Sequence, residues 1–129
     1  MKIISIHSVR SDKDVLDILE KYDCTKRNKC ILHWYSGTLK QLDRAIKLDC
    51  FFSINEYMLN SPNGRSIIQR IPVERLLVES DAPFISDIKT VEQLKRSLTH
   101  CLNEINLIKG NEVSRRIFET SRKLFEMSY

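Results

Sequence analysis

Four residues stand out in this chain for their types and their spacing: His7, His33, Asn55 and Asp81. They follow one another at intervals of 26, 22 and 26 residues. Neutral imidazoles and an ionised carboxylate are good ligands for zinc and similar divalent cations. A cation with one open position lowers the pKa of a bound water and polarises a phosphoryl or carbonyl oxygen. The chemistry these residues could do together is therefore metal-assisted hydrolysis. Each has a plainer reading when taken singly. A histidine at a strand end is commonly a hydrogen-bonded structural group, and an aspartate before Ala82-Pro83 can cap a turn. The even spacing is what argues for a shared site.

That argument needs elements that bring the four together. Ile3-Ile4-Ser5-Ile6, Cys30-Ile31-Leu32-His33-Trp34, Phe51-Phe52-Ser53-Ile54 and Leu76-Leu77-Val78 read as short apolar strands. Between them lie helical patterns. The first starts at Ser11, with Asp14 placed for a box-like cap, and carries Val15, Leu16, Ile18, Leu19 and Tyr22 on one face. A second begins at the expected cap Thr38 and repeats Leu39, Leu42, Ala45 and Ile46. A third follows Pro62-Asn63-Gly64, holds Ile67, Ile68 and Ile71, and stops at Pro72. After the last strand, Thr90 caps a long helix that Gly110 ends, and Asn111 caps a final one with Val113, Ile117, Phe118, Leu124 and Phe125. The order βαβαβαβαα predicts a parallel α/β sheet with right-handed crossovers. Its strands are continuous apolar runs, as expected where both faces are covered. One residue at or just past each strand then falls at the carboxyl edge of the sheet, where such folds place their sites.

Composition sets the outer limits. The 129 residues fit one domain, with 42% hydrophobic and 29% charged. No run approaches the ~18 apolar residues of a membrane span. The opening Met1-Lys2-Ile3-Ile4-Ser5-Ile6 turns polar too soon for a signal peptide. The net charge of +4 is spread along the chain, which suits a solvated surface as well as an anionic partner. Cys24, Cys30, Cys50 and Cys101 form no CxxC pair and no zinc-ribbon spacing, so they read as reduced thiols of a cytoplasmic protein rather than a redox or metal centre.

Four blocks carry a resemblance. They are Ile6-His7-Ser8-Val9-Arg10, Leu32-His33-Trp34-Tyr35-Ser36-Gly37-Thr38, Phe52-Ser53-Ile54-Asn55, and the run from Ile71-Pro72 through Arg75-Leu76-Leu77 to Glu79-Ser80-Asp81-Ala82-Pro83-Phe84. In that order they look like the successive signatures of the TatD-like metal-dependent hydrolases. The match covers about residues 3–84 and is loose over the terminal helices. The resemblance implies a TIM-type (β/α)8 barrel, of which residues 1–129 are a single partial domain: a parallel half-barrel, strands five to eight. It implies a divalent metal ion (Zn, Mg or Mn) and DNA phosphodiesters as substrate. His7, His33 and Asp81 take the places of metal ligands, with Asp81 also catalytic, and Arg10 and Asn55 lie near the substrate. The planar fork of Arg10 suits a phosphate. Glu79 either orients the metal shell or is a structural carboxylate. Trp34 and Tyr35 either flank a nucleotide or pack under the loop after their strand. His100 reads as a surface or packing residue.

The chain also departs from the family. The HxH pair of the first strand and the Glu of the fourth have no counterpart here. Ser80 replaces the usual Thr, and Phe84-Ile85-Ser86-Asp87-Ile88-Lys89 replaces the basic segment after "DAP". The wording of the first two blocks is closer to TatD-like proteins of Qat-type anti-phage defence systems. Half a barrel leaves two strand edges unpaired and an inner face uncovered, which favours a homodimer or a complementing chain. The alternatives are therefore a truncated, inactive remnant or assembly subunit of such a defence system, or an α/β module whose basic surface holds nucleic acid.

Overall fold

A computed structural model describes every residue except Ser86, Ser128 and Tyr129. Ser86 belongs to the segment that departs from the family pattern, and that position lies outside the described residues.

The four apolar runs form strands β1 (Ile3–His7), β2 (Lys29–His33), β3 (Phe51–Ile54) and β4 (Leu76–Val78). They make one parallel sheet in chain order. Side chains alternate between its faces. On one face Cys30, Leu32, Phe52, Ile54 and Leu76 pack against Leu16, Leu42, Ala45, Ile67 and Ile68 of the connecting helices. Phe52 is fully buried there, so truncating it to Ala costs about 3–5 kcal/mol. On the other face Ile31, Phe51 and Leu77 meet Leu124. Coverage on both faces is why β3 and β4 carry apolar runs instead of alternation.

The connecting helices are α1 (Asp12–Lys21), the short α2 (Cys24–Arg27), α3 (Leu39–Lys47), the short α4 (Glu56–Leu59) and α5 (Pro62–Arg70). A 3-10 turn, Val73–Arg75, precedes β4. Helices α6 (Val91–Lys109) and α7 (Ser114–Glu126) close the described chain. Thr38 caps α3 by accepting from Gln41 N, and Thr90 with Gln93 forms a complete capping box on α6. Gly110 ends α6 in the left-handed region, φ 73°. At Gly64 a Cβ would sit 1.9 Å from the Met58 carbonyl oxygen, so α4 and α5 meet at a distance that only glycine allows.

The structure corrects several local expectations. Ser11 precedes α1, but its side chain makes no capping bond, so no box with Asp14 forms. Asn111 is not the cap of α7. Val113 stands there, its N–H bonded to Asn106 Oδ1, while Ser114 N donates to Glu112 Oε1. The apolar stripes are narrower than periodicity suggests: Ile18, Tyr22, Leu39, Phe118 and Phe125 are exposed. The short helices α2 and α4 carry no periodic pattern and were not anticipated.

Adjacent helices are also tied by charge. Arg44 on α3 reaches back to Asp17 at 2.7 Å and to Glu20, both on α1. Its neighbour Asp43 reaches forward to Arg70 on α5 through two bonds of 2.5 and 2.6 Å. Such exposed pairs contribute ~0–1 kcal/mol each.

The two outer strands differ. In β1 four of five residues are exposed, Ile3 and Ile4 among them. In β4 Leu76 and Leu77 are buried, because α7 runs alongside and sets Leu124 over Leu77. The sheet thus presents its uncovered edge on the β1 side.

Candidate active site

His7 ends β1 and His33 ends β2, and the two are register partners. Ser53 on β3 is the register partner of His33. Asn55 follows β3, and Glu79 and Asp81 follow β4. The regular intervals in the sequence therefore correspond to neighbouring positions along the carboxyl rim of the sheet.

The side chains converge on His33. Its Nε2 lies 2.8 Å from His7 Nδ1, with ring centroids 4.8 Å apart. Its Nδ1 lies 3.5 Å from Glu79 Oε1 and 4.0 Å from Asp81 Oδ1. The side chains of His33, Glu79 and Asp81 are 19%, 18% and 15% exposed, which leaves them reachable but weakly screened. A cleft of about 350 Å³ is lined by His7, His33, Trp34, Asp81 and Phe84.

Glu79 is held from behind. Ser53 Oγ donates to its Oε2 at 2.6 Å, and Asn55 Nδ2 donates to its Oε1 at 3.2 Å. The Glu79 N–H continues the sheet ladder by bonding to Ile54 O at 2.9 Å. Asn55 is fully buried. Its Oδ1 accepts from Met58 N and caps α4, so both ends of the amide are engaged internally. It supports Glu79 and α4, and its expected place beside a substrate is not provided by this geometry. Arg10 is exposed, in the left-handed region at φ 56°.

Among the described residues, three of the five non-glycine residues with positive φ are at this rim: Arg10, Trp34 and Asp81. Bulky residues rarely adopt that conformation, and it concentrates where a chain must aim a side chain off the regular path. Trp34 leaves the strand at φ 48°, and its ring sits 5.4 Å from that of Tyr57. Tyr35 points the other way. It is buried, edge-on to Phe52, and its hydroxyl donates to Thr38 O. Burial and the nearby Asp12 carboxylate push its phenol well above the usual range. The packing reading therefore holds for Tyr35. His100 is exposed on α6.

The donor types suit a divalent cation: two imidazoles with two carboxylates beside them. The spacing is that of a hydrogen-bonded pair. Two ligands ~2.0–2.1 Å from one tetrahedral ion lie roughly 3.3 Å apart, wider than the His7–His33 contact. Among the described residues no group of three His, Cys, Asp or Glu side chains is arranged to hold a metal ion. Loading would open that contact.

Sequence reasoning left the central place of Glu79 open. A signal was present: Glu79 follows Ser53 by 26 residues, the interval that separates the two histidines.

Comparison with known proteins bears on this rim. The family model described as TatD related DNase matches residues 1–126. A relative named Deoxyribonuclease Tat-D from Schizosaccharomyces pombe is 29% identical over 79 residues, 61% of this chain and 25% of its own. One named 3'-5' ssDNA/RNA exonuclease TatD, from Erwinia tasmaniensis, is 24% identical over 136 aligned positions, covering 96% of this chain and 52% of its own. The solved TatD homologue YJJV from Escherichia coli K12 superposes with a TM-score of 0.78 at 21% identity, over 96% of this chain and 50% of that one. The chain thus spans about half the length of that solved structure, and a quarter to about half of these two relatives.

Proposed function

The chain belongs to the TatD related DNase family, and from that membership we propose that it supplies the carboxyl-terminal half of a metal-dependent hydrolase acting on DNA phosphodiesters. The observation that carries this reading is the convergence of His7, His33 and Asp81 on one cleft at the rim of the parallel sheet, with Glu79 beside His33.

In this reading His7, His33 and Asp81 hold a divalent ion, Zn, Mg or Mn. When bound, the ion supplies an activated water and neutralises charge on the phosphoryl oxygens. Asp81 also serves as the catalytic carboxylate beside the reacting phosphate. Arg10 contacts a phosphate. Asn55 takes part through Glu79 and not by touching substrate, because its amide is already engaged. Glu79 faces His33 Nδ1 and fixes the ring orientation and tautomer, as a carboxylate behind a histidine ligand commonly does. Catalysis further calls on ligands from the other half of a barrel, since the HxH pair and the strand-four Glu of the family have no counterpart among these residues.

Among the described residues no helix is long and apolar enough to cross a membrane. The four cysteines are free thiols, three of them buried, which fits a reducing compartment such as the cytoplasm.

The test is calorimetric titration with Zn, Mn and Mg, combined with a cleavage assay on single-stranded and duplex oligonucleotides. Both should be run on this chain and on the complete gene product. Metal-dependent cleavage by the complete product is the expected result, and absence of divalent-metal binding there would overturn the reading.

A second reading, an assembly subunit without activity of its own, is favoured by the exposed β1 edge. It predicts a homodimer or a complex with a complementing chain. A monodisperse monomer by light scattering at high concentration would count against it.

A further inference from the structure

Ser97 is 3% exposed, and among the described residues its Oγ has no hydrogen-bond partner. A buried hydroxyl left unpaired is costly, so its surroundings call for a group to pair with it. Ser97 lines a second cavity, of about 240 Å³, together with Glu56, Asp87, Ile88, Gln93 and Arg96. None of these six residues belongs to the cleft of His7, His33 and Asp81. The cavity lies between α4 and the first turns of α6, which pack together, and the segment after β4 closes its side. Gln93, Arg96 and Ser97 share one face of α6, since residues three and four apart are neighbours on a helix. Glu56 is half-buried and turned toward that helix: after burial itself, its charge is what raises the Cys101 thiol, one turn beyond Ser97.

The charges of this cavity are unspent. Among the described residues Glu56, Asp87 and Arg96 enter no ion pair and no side-chain hydrogen bond. Gln93 Oε1 is occupied by Lys89 N at 2.7 Å and Thr90 N at 3.0 Å, which leaves the Gln93 Nε2 hydrogens to donate. A simple anion would meet two carboxylates here, and a simple cation would meet the guanidinium. A molecule bearing both charges answers every group. We propose that this cavity binds a small zwitterion, its ammonium on Glu56 and Asp87 and its carboxylate on Arg96, the Ser97 hydroxyl and the Gln93 amide. A few convergent polar groups in a concave site are the usual form of small-molecule recognition. All the walls belong to this chain, and further chain elsewhere cannot uncover Ser97. The proposal stands apart from the hydrolase reading, because no residue of the rim takes part.

The experiment titrates glycine, β-alanine and 4-aminobutyrate, which differ in the separation of their charges, into the isotopically labelled protein with a chelator present. The amide signals of Gln93 and Ser97 are followed by NMR. Saturable shifts with at least one of the three are expected, with ethylamine and acetate binding at least about tenfold more weakly. Ser97→Ala should raise the Kd about fivefold, the worth of one hydrogen bond, and Glu56→Gln and Arg96→Gln should each weaken binding as well. Without ligand, Ser97→Ala should melt at or above the parent's temperature, because it removes an unpaired buried hydroxyl. A clear fall in that midpoint would mean that the hydroxyl serves the fold through an ordered water, and would overturn the inference. So would the lack of saturable shifts with all three probes, equal binding of ethylamine or acetate, or an unchanged affinity in Ser97→Ala. The chelator keeps the rim site empty of metal, so failure here leaves the hydrolase reading intact, and failure of metal binding at the rim leaves this site intact.

Discussion

His7 Nδ1 and His33 Nε2 face each other at 2.8 Å, one imidazole donating to the other across adjacent strand ends. Each ring thereby occupies a lone pair or a proton that a cation would displace. His33 is the better connected of the two, since its far nitrogen also faces Glu79 and Asp81. His33→Ala should lower divalent-metal affinity at least tenfold by calorimetry and abolish metal-dependent cleavage. The thermal midpoint should move by only a few degrees, because the ring is partly solvated and lies outside the main core.

Glu79 accepts from Ser53 and from Asn55, one partner on each oxygen. Glu79→Gln replaces one acceptor with a donor and sets it against the Asn55 amide or the Ser53 hydroxyl. The hydroxyl can rotate, but the Asn55 amide is pinned by Met58 N. The variant should lose about 1–3 kcal/mol in urea unfolding. Glu79→Gln should also weaken metal binding, and the double variant with Asn55→Ala should lose less than the sum of the two singles.

Acid should loosen the helical layer before it touches the sheet. Arg70 beside Asp43 holds that carboxyl below its ordinary 3.8, and Lys13 with Arg44 does the same for Asp17. A depressed carboxylate stabilises the fold above its unfolded pKa, and that contribution is lost as pH falls through the folded value. The stability curve should therefore decline as pH drops below about 3.8, and Arg70→Ala should flatten part of that decline. Both carboxylates are exposed, so 1 M salt should shrink the difference.

Thiol reactivity should divide sharply. Burial pushes Cys50 and Cys101 up to about 12 and raises Cys30 as well. At pH 8 a thiol of pKa 12 is ionised to about 10⁻⁴, and these groups are also shielded. Cys24 is only partly buried. A disulfide reagent should therefore titrate one thiol in the native chain and four in denaturant. Rapid native reaction of two or more would contradict the packing described here.

The inner strands were legible because parallel strands covered on both faces leave unbroken apolar runs, as Phe51-Phe52-Ser53-Ile54 does. The site was legible because a parallel register converts equal intervals into adjacency, so His7 and His33 had to meet if the repeat was regular. What the sequence could not disclose is which flank of an amphipathic helix meets a neighbour. Ile18 and Tyr22 continue the apolar stripe of α1 but lie on solvent. Polar type alone also left the partners of Asn55 undisclosed, since a buried amide that caps a helix and one that grips a substrate look alike in one dimension. The role of Glu79 stayed open for a related reason: its three partners, His33, Ser53 and Asn55, lie on two other segments.

The contrast between β3, buried along its whole length, and the exposed β1 implies a direction in how the sheet comes apart. Amide protons of Phe52 and Ile54 should exchange with deuterium only through global opening, while those of β1 exchange through local fraying at far lower cost. Since His7 rides on that fraying margin, thermal breathing at one border would disassemble half of the imidazole pair well before the domain melts.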